Sequence, residues 1–266
     1  MKIAARTLLV VSLLSCGSLY AENAVTRAVR TYLSDAKSLA TAPVHWKAKQ
    51  WTRFGEGTLA VATVYAADQK LYDVVQRNRS ACTDRFAKDI TPFGGQRAVD
   101  LSLLMIAAGV LTHQTETRDA GRDSLESELW AAGVVTPLLK HAFGRARPSQ
   151  NEGARSFNGF TSSSHYESFP SGHATNVFAF ATAVAGHYDN WVVPAIVYSV
   201  ASGVAFSRVN DRAHFPSDVV AGALIGRAVA KGVLTRHRRS APTWFITPLA
   251  VHGHAGMLIH LCSSCL

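Results

Sequence analysis

Apolar residues collect in six stretches along this chain of 266 residues, separated by polar and turn-forming segments. Each stretch has helix-like spacing, and together they predict helices centred on residues 58–67, 101–111, 129–139, 174–186, 191–206 and 219–233. A more polar connection over 71–88 is also expected to be helical. The pattern therefore predicts an all-α fold built on six core helices.

These apolar stretches are short for a membrane. A run of 16 residues at the helical rise covers about 24 Å, whereas a bilayer core needs about 20 residues. Arg227 and Lys231 also interrupt the last stretch. Buried helices of a globular bundle fit these lengths at least as well as transmembrane spans, and both interpretations stay open.

The first 21 residues have the pattern of a secretory signal peptide. Lys2 and Arg6 precede an apolar run that ends at Leu14, and Ala21 closes a cleavage site before Glu22. An uncleaved N-terminal anchor is the alternative. We therefore expect an exported, periplasmic protein, either soluble or associated with the membrane.

The chain is basic, with a formal net charge of +9. Basic surfaces suit anionic membranes or anionic substrates, and because no nucleic-acid-binding motif is present, we expect no nucleic acid partner. Residues 46–54 interleave Trp and Phe with Lys and Arg, as segments at a membrane interface do. Aromatic residues that cap a helical core would give the same pattern, so a membrane surface is one of two expectations for this segment.

Composition divides the chain into four parts. Residues 1–21 form the signal peptide, 22–53 an amphipathic or interfacial segment, 54–239 the helical domain and 240–266 a tail. Strand-forming residues around a His-Gly-His sequence predict a short β-hairpin in the tail. Cys262 and Cys265, separated by two serines, suit a small disulfide in an exported protein.

The sequence Phe-Pro-Ser-Gly-His, which ends at His173, directly precedes a predicted helix. Pro, Ser and Gly there mark a helix N-terminus, where free N–H groups and the helix dipole favour an anion. Ser171 and Gly172 would lie against that anion. His173 would lie at its edge, where an imidazole can donate or accept a proton.

Two further motifs carry charge that suits the same anion. Lys140 and Arg147 are seven residues apart around a helix end, and Arg208 lies upstream of a second pair, His214 and Asp218. The guanidinium of arginine can bind two phosphate oxygens at once, and the ammonium of lysine supplies a point charge. A carboxylate four residues from a histidine can hold one tautomer and leave the other ring nitrogen free to attack.

Together, the three motifs Lys-x6-Arg-Pro, Pro-Ser-Gly-His and Ser-Arg-x5-His-x3-Asp resemble the type 2 phosphatidic acid phosphatase (PAP2) and vanadium haloperoxidase superfamily. The chain carries all three without a substitution and in the family's order, and the resemblance covers about residues 58–233. It implies a six-helix core bundle of the acid phosphatase type.

The resemblance also implies a role for each motif residue. His214 would be the nucleophile that forms a phosphohistidine, with Asp218 orienting it, and His173 would protonate the leaving oxygen and later activate water. The phosphoryl oxygens would be bound by Lys140, Arg147, Ser171, Gly172 and Arg208. Because charge stabilisation and positioning dominate phosphoryl transfer, these cations would act without a metal or other cofactor.

The resulting expectation is a hydrolase of phosphomonoesters or diphosphates, with a phosphorylated small molecule or lipid as substrate and lipid phosphates favoured. A soluble periplasmic acid phosphatase of broad specificity is the close alternative. A vanadium-dependent haloperoxidase is a more distant one, because those enzymes are typically much longer than this chain.

Overall fold

Seven helices make up most of the described part of the chain. The computed structural model describes residues 37–38, 41–240, 244–251 and 254–261, of which 239–240 and the two last ranges are described as backbone only. The predicted signal peptide, residues 22–36 of the segment that follows it, and both Cys262 and Cys265 lie outside the described residues.

The helices follow one another with short connections, apart from one long loop between α4 and α5. They are α1 (Ala48–Arg77), α2 (Ala81–Ile90), α3 (Gln96–Leu111), α4 (Thr115–Glu128, continued by Leu129–Val135 and Thr136–Phe143), α5 (Gly172–Ala185), α6 (Val192–Asn210) and α7 (Pro216–Ser240). Short 3₁₀ turns lie at Ala42–His45, Thr91–Gly94, Pro148–Gln150 and Ser164–Tyr166.

The all-α prediction is confirmed, but the count of six helices is wrong. The stretch 71–88, read as a connection, contains the end of α1 and nearly all of α2. Ser80 starts α2 with a capping box, in which its hydroxyl accepts from the Thr83 N–H at 3.2 Å and its own N–H donates to the Thr83 hydroxyl at 2.9 Å. A cap of this kind gives a short polar helix a defined start without an apolar centre.

The tail carries two antiparallel strands at the position of the predicted hairpin. Strand β1 (Trp244–Val251) pairs with β2 (His254–Leu261), so that Trp244 lies opposite Leu261 and Val251 opposite His254.

One turn of α4 is wider than an α-helical turn. Residues Leu129–Val135 are π-helical, directly before Thr136 and Pro137. Proline lacks an N–H and its ring clashes with the carbonyl four residues earlier, and a π turn relieves that clash without ending the helix. The helix therefore continues to Phe143 and carries Lys140 to its last turn.

Helices α5 and α7 pack closely enough that two positions on α7 require glycine. A Cβ on Gly222 would lie 2.5 Å from the Ser171 carbonyl oxygen, and one on Gly226 would lie 2.2 Å from the Thr175 carbonyl oxygen. This contact brings the start of α5 beside the start of α7. Because α4 and α6 end where α5 and α7 begin, all three sequence motifs lie at one end of the bundle.

Among the described helices, α6 is long and apolar enough to cross a membrane, with a mean hydropathy of 1.5, although 22% of that window is buried inside the protein. A second candidate span consists of α2, the 3₁₀ turn after it and α3, if these elements are taken together as one span with a bend of 51°.

Candidate active site

The start of α5 is held by Ser171. The buried Ser171 hydroxyl caps the helix by accepting from the Ala174 N–H at 3.4 Å. The backbone N–H of Ser171 donates to the Asp218 carbonyl oxygen at 2.9 Å. Gly172, the first residue of α5, faces the Lys140 side chain: a Cβ there would lie 3.9 Å from Lys140 Cε. The helix N-terminus and the lysine therefore adjoin each other, as the sequence predicts.

Three predicted cations reach this end of the bundle from different elements. Lys140 Nζ donates to the Glu167 carbonyl oxygen, and Arg147 Nη2 lies 3.6 Å from a Glu167 carboxylate oxygen. Arg208 Nη1 donates to the Thr91 hydroxyl at 3.1 Å and to Asp211 at 3.2 Å. In these two arginines Nε is buried and has no hydrogen-bond partner among the described residues. Each Nε could donate to an oxyanion, since a buried donor without an acceptor is costly.

The ring of His214 is oriented by a backbone carbonyl. Its Nδ1 lies 2.7 Å from the Ser168 carbonyl oxygen, whereas the nearest Asp218 carboxylate oxygen is 3.8 Å from the same nitrogen. An Nδ1–H that donates to Ser168 leaves the lone pair on Nε2. The geometry therefore fits a nucleophilic His214, but the partner on Nδ1 is not the carboxylate that the spacing suggested.

Asp218 instead organises the groups around that histidine. Its Oδ2 accepts from the Ser168 hydroxyl at 2.6 Å and from the Phe215 N–H at 2.8 Å, and its Oδ1 accepts from Arg145 Nη1 at 2.5 Å. The first bond fixes the residue whose carbonyl holds His214. Asp218 thus positions the imidazole through Ser168 and carries a charge close to it.

Arg145, which lies between Lys140 and Arg147 in the first motif, is fully buried. Besides Asp218, its guanidinium binds Asp68 of α1 at 2.7 Å and the Ser217 hydroxyl at 2.8 Å, and it stacks on Phe215 at 4.5 Å. Asp68 in turn accepts from the Ser217 N–H at 2.8 Å. This chain of contacts ties α1 to the start of α7 behind the nucleophile.

His173 lies against a turn that the sequence did not single out. A Cβ atom placed on Gly94 would lie 2.9 Å from His173 Cβ. A Cβ atom placed on Gly95 would lie 3.7 Å from His173 Nε2. Asn176, one turn further along α5, donates to the Gly95 carbonyl oxygen at 3.2 Å. The 3₁₀ turn before α3 therefore forms the wall beside the predicted proton donor.

Burial and the surrounding cations set the ionisation of the site. Burial, with Arg208, His214, Lys140 and Arg147 acting in the same direction, lowers the pKa of His173 to about 4. Burial likewise lowers the pKa of His214 to about 4, with the nearby Asp218 opposing. Burial next to Arg147 lowers the pKa of Lys140 to about 8. Both imidazoles are therefore neutral at pH 7 before substrate binds.

The same set of interactions shows which predicted residues the fold brings together. The pKa of His173 responds to Arg208, His214, Lys140 and Arg147 at once, so these five residues share one electrostatic environment. Burial on its own would raise the pKa of Asp218, but His214 and Arg145 hold it below its usual value. A helix N-terminus, three cations and two neutral histidines thus lie together at one end of the bundle, and this combination suits a phosphate-like anion.

A comparison with protein families assigns this architecture. Residues 127–241 match the PAP2 superfamily, and that segment contains all three motifs. This segment is therefore a PAP2 domain, which confirms the resemblance that the motifs carry.

Known proteins resemble the chain over the same region. A lipid A 1-phosphatase of Rhizobium johnstonii is 43% identical over 97 residues, which is 36% of this chain and 39% of that protein. The chain thus matches about two fifths of the length of this curated relative. The crystal structure of Aquifex aeolicus LpxE has a TM-score of 0.50 at 23% identity, over 63% of this chain and 94% of LpxE.

A second solved structure agrees in fold. The transmembrane PAP2-type phosphatidylglycerolphosphate phosphatase of Bacillus subtilis has a TM-score of 0.54 at 22% identity, over 70% of this chain and 96% of that chain. At such identities the two structures establish the shared helical fold.

Proposed function

We propose that this protein is a phosphatase that hydrolyses phosphomonoesters or diphosphates of lipids through a phosphohistidine on His214. One observation carries the proposal: the 2.7 Å contact between His214 Nδ1 and the Ser168 carbonyl oxygen leaves Nε2 with its lone pair in a pocket of cations. A neutral, oriented imidazole is the form that can attack phosphorus.

The reaction has two steps. In the first, His214 Nε2 bonds to phosphorus as the bond between phosphorus and the leaving oxygen breaks, and His173 transfers a proton to that oxygen. In the second, neutral His173 takes a proton from water, whose oxygen bonds to phosphorus as the bond to Nε2 breaks. Inorganic phosphate leaves, and His173 is protonated again for the next cycle.

The first step requires a protonated His173, although its pKa is about 4 before substrate binds. Part of that lowering comes from Arg208 and Lys140, whose charge a bound phosphate dianion offsets. Substrate binding therefore raises the pKa of His173 and favours the form that can donate.

Charge stabilisation would come from the protein itself. Arg147 and Arg208 each offer a buried Nε, and Lys140 adds a point charge beside the start of α5. Arginine donors and a helix N-terminus stabilise the equatorial oxygens of the transferring group. We therefore propose that the reaction proceeds without a metal ion.

A lipid substrate is supported by the surface of the bundle. Large apolar side chains are exposed on α3 (Leu104, 63%; Leu111, 79%) and on α6 (Ile196, 58%), and α6 is long and apolar enough to cross a membrane. The relatives also carry lipid names: one is a lipid A 1-phosphatase and one a phosphatidylglycerolphosphate phosphatase. We propose that the protein works at a membrane surface after export to the periplasm.

Phosphate release by the purified full-length protein tests the proposal. The substrates would be phosphatidic acid and lipid A in detergent micelles, together with p-nitrophenyl phosphate. For each substrate, phosphate release would be measured with the wild-type protein and with His214→Ala. We expect release from a lipid phosphate and its loss in the variant. Turnover of small esters alone would indicate a soluble acid phosphatase, and peroxide-dependent halogenation with added vanadate but no phosphate release would indicate a haloperoxidase.

A further inference from the structure

Glu167 contacts two of the three cations that the proposed function assigns to the phosphate, and the mechanism above gives it no role. Its backbone carbonyl oxygen accepts from Lys140 Nζ, and one of its carboxylate oxygens lies 3.6 Å from Arg147 Nη2. Burial and Arg147 lower the pKa of Lys140, whereas Glu167 and Asp218 oppose that lowering. The Glu167 carboxylate therefore lies within electrostatic reach of both cations.

The backbone around Glu167 is fixed beside the first motif. The Ser168 N–H donates to the Arg145 carbonyl oxygen at 2.9 Å, and the Arg147 N–H donates to the His165 carbonyl oxygen at 3.1 Å. These two hydrogen bonds flank Glu167 and hold its segment against the motif. The position of the carboxylate therefore depends on the side-chain torsions of Glu167 rather than on movement of the long loop.

The charged contact between Glu167 and Arg147 is loose. Its 3.6 Å length exceeds that of a hydrogen bond between nitrogen and oxygen, and both side chains are 32% exposed. By contrast, Asp211 accepts from Arg208 Nη1 at 3.2 Å, and the Arg208 side chain is only 13% exposed. A partly exposed ion pair contributes little to stability, so an anion that binds Arg147 more closely can displace the Glu167 carboxylate.

We propose that the Glu167 carboxylate is an internal competitor, which pairs with Arg147 before substrate binds and is displaced from it by the phosphate. Arg147 Nε is buried without a hydrogen-bond partner among the described residues. Nε and Nη2 share one edge of the guanidinium, so a phosphate can bind both where the carboxylate contacts one. Glu167 thereby weakens phosphate binding and favours release of the product. The inference rests on the proposed function, because it takes Arg147 as a phosphate ligand.

Calorimetric binding of inorganic phosphate to the His214→Ala protein tests the competition without turnover. Glu167→Gln, added to that protein, removes the charge and keeps the shape of the side chain. We expect phosphate to bind at least about threefold tighter, because a partly exposed ion pair no longer has to be broken. The matched control is Glu152→Gln in the same loop, where the exposed carboxylate accepts from the Ser156 hydroxyl at 2.7 Å. This control should leave the affinity unchanged.

A second measurement follows product inhibition during turnover of p-nitrophenyl phosphate. The inhibition constant of inorganic phosphate should be at least about threefold lower in Glu167→Gln than in the wild-type protein.

Three results would overturn the inference. Weaker phosphate binding in Glu167→Gln would show that the carboxylate positions Arg147 for the substrate instead of competing with it. Unchanged binding would show that the carboxylate does not act on the phosphate, and an equal gain in Glu152→Gln would assign the effect to the overall charge of the loop. Failure of the proposed function would be seen separately, as no phosphate release by the wild-type protein from any ester.

Discussion

The carboxylate of Asp218 lies 3.8 Å from Nδ1 of His214 and does not hydrogen-bond to it. The Ser168 carbonyl oxygen takes that place at 2.7 Å, and Asp218 binds the Ser168 hydroxyl at 2.6 Å. The familiar pairing of a nucleophilic histidine with an acid is therefore replaced by a relay of two contacts. The acid supplies charge and support, while a backbone oxygen fixes the tautomer.

This arrangement predicts that Asp218→Asn and Ser168→Ala differ in severity. Asp218→Asn removes the negative charge behind the imidazole and a charged contact to Arg145, so we expect kcat to fall about 10²-fold, as for loss of a hydrogen bond to a charged group. Ser168→Ala keeps the carbonyl that accepts from His214, so kcat should fall less than about tenfold. Steady-state kinetics on p-nitrophenyl phosphate would measure both, and equal losses would contradict the claim that the charge of Asp218 contributes beyond its contact with Ser168.

Replacement of His173 should affect substrates according to their leaving group. His173→Ala removes the proton donor, which is worth about 10²–10⁴-fold where the leaving oxygen needs a proton. We expect a loss of that size in kcat/KM for a lipid phosphate, whose alkoxide leaves poorly, and a much smaller one for p-nitrophenyl phosphate. Equal losses on the two substrates would instead point to a role in binding or folding.

The pKa values predict a bell-shaped pH profile for p-nitrophenyl phosphate, whose leaving group needs no acid. Below about pH 4, protonation of His214 removes the Nε2 lone pair, and above about pH 8, Lys140 loses its charge. Activity, measured as kcat/KM, should therefore decline on both sides. Lys140→Arg keeps its charge at high pH, so its alkaline limb should move up by more than one pH unit. An unchanged alkaline limb would exclude Lys140 as its origin.

Arg145 should matter more for stability than for direct contact with substrate. Arg145→Ala leaves Asp68 and Asp218 buried without their cation, and breaking a buried ion pair from one side costs about 3–5 kcal/mol. Urea denaturation should show a decrease of that order in the free energy of unfolding. The matched control is Arg85→Ala on exposed α2 surface, with an expected change within about 0.5 kcal/mol; equal values for the two variants would contradict this role.

The residues that sequence reasoning found and those it missed differ in how far their contacts reach along the chain. Lys140, His173 and His214 belong to short motifs beside helix ends, where local spacing already places them near an anion. Arg145 and Asp68 meet across 77 positions, and nothing in local spacing pairs them. Such a contact depends on how α1 packs on the bundle.

Two other features were invisible for different reasons. Ser168 acts through a backbone oxygen, and every residue has one, so its type carries no signal. The 3₁₀ turn Thr91–Gly94 lies so close to His173 that there is no room for a side chain at position 94. The seventh helix, in contrast, lies in the stretch 71–88 that was expected to be helical, and it was not counted among the core helices because α2 is short and polar on average.

The most direct test of the account is to trap the covalent intermediate. Wild-type protein mixed with ³²P-labelled substrate would be quenched in alkali, where phosphohistidine persists, and the labelled peptide identified. We predict label on the peptide that contains His214, no label in His214→Ala, and accumulation in His173→Ala with p-nitrophenyl phosphate, because water activation is then slowed. Label on another residue, or phosphate release that continues in His214→Ala, would contradict the account.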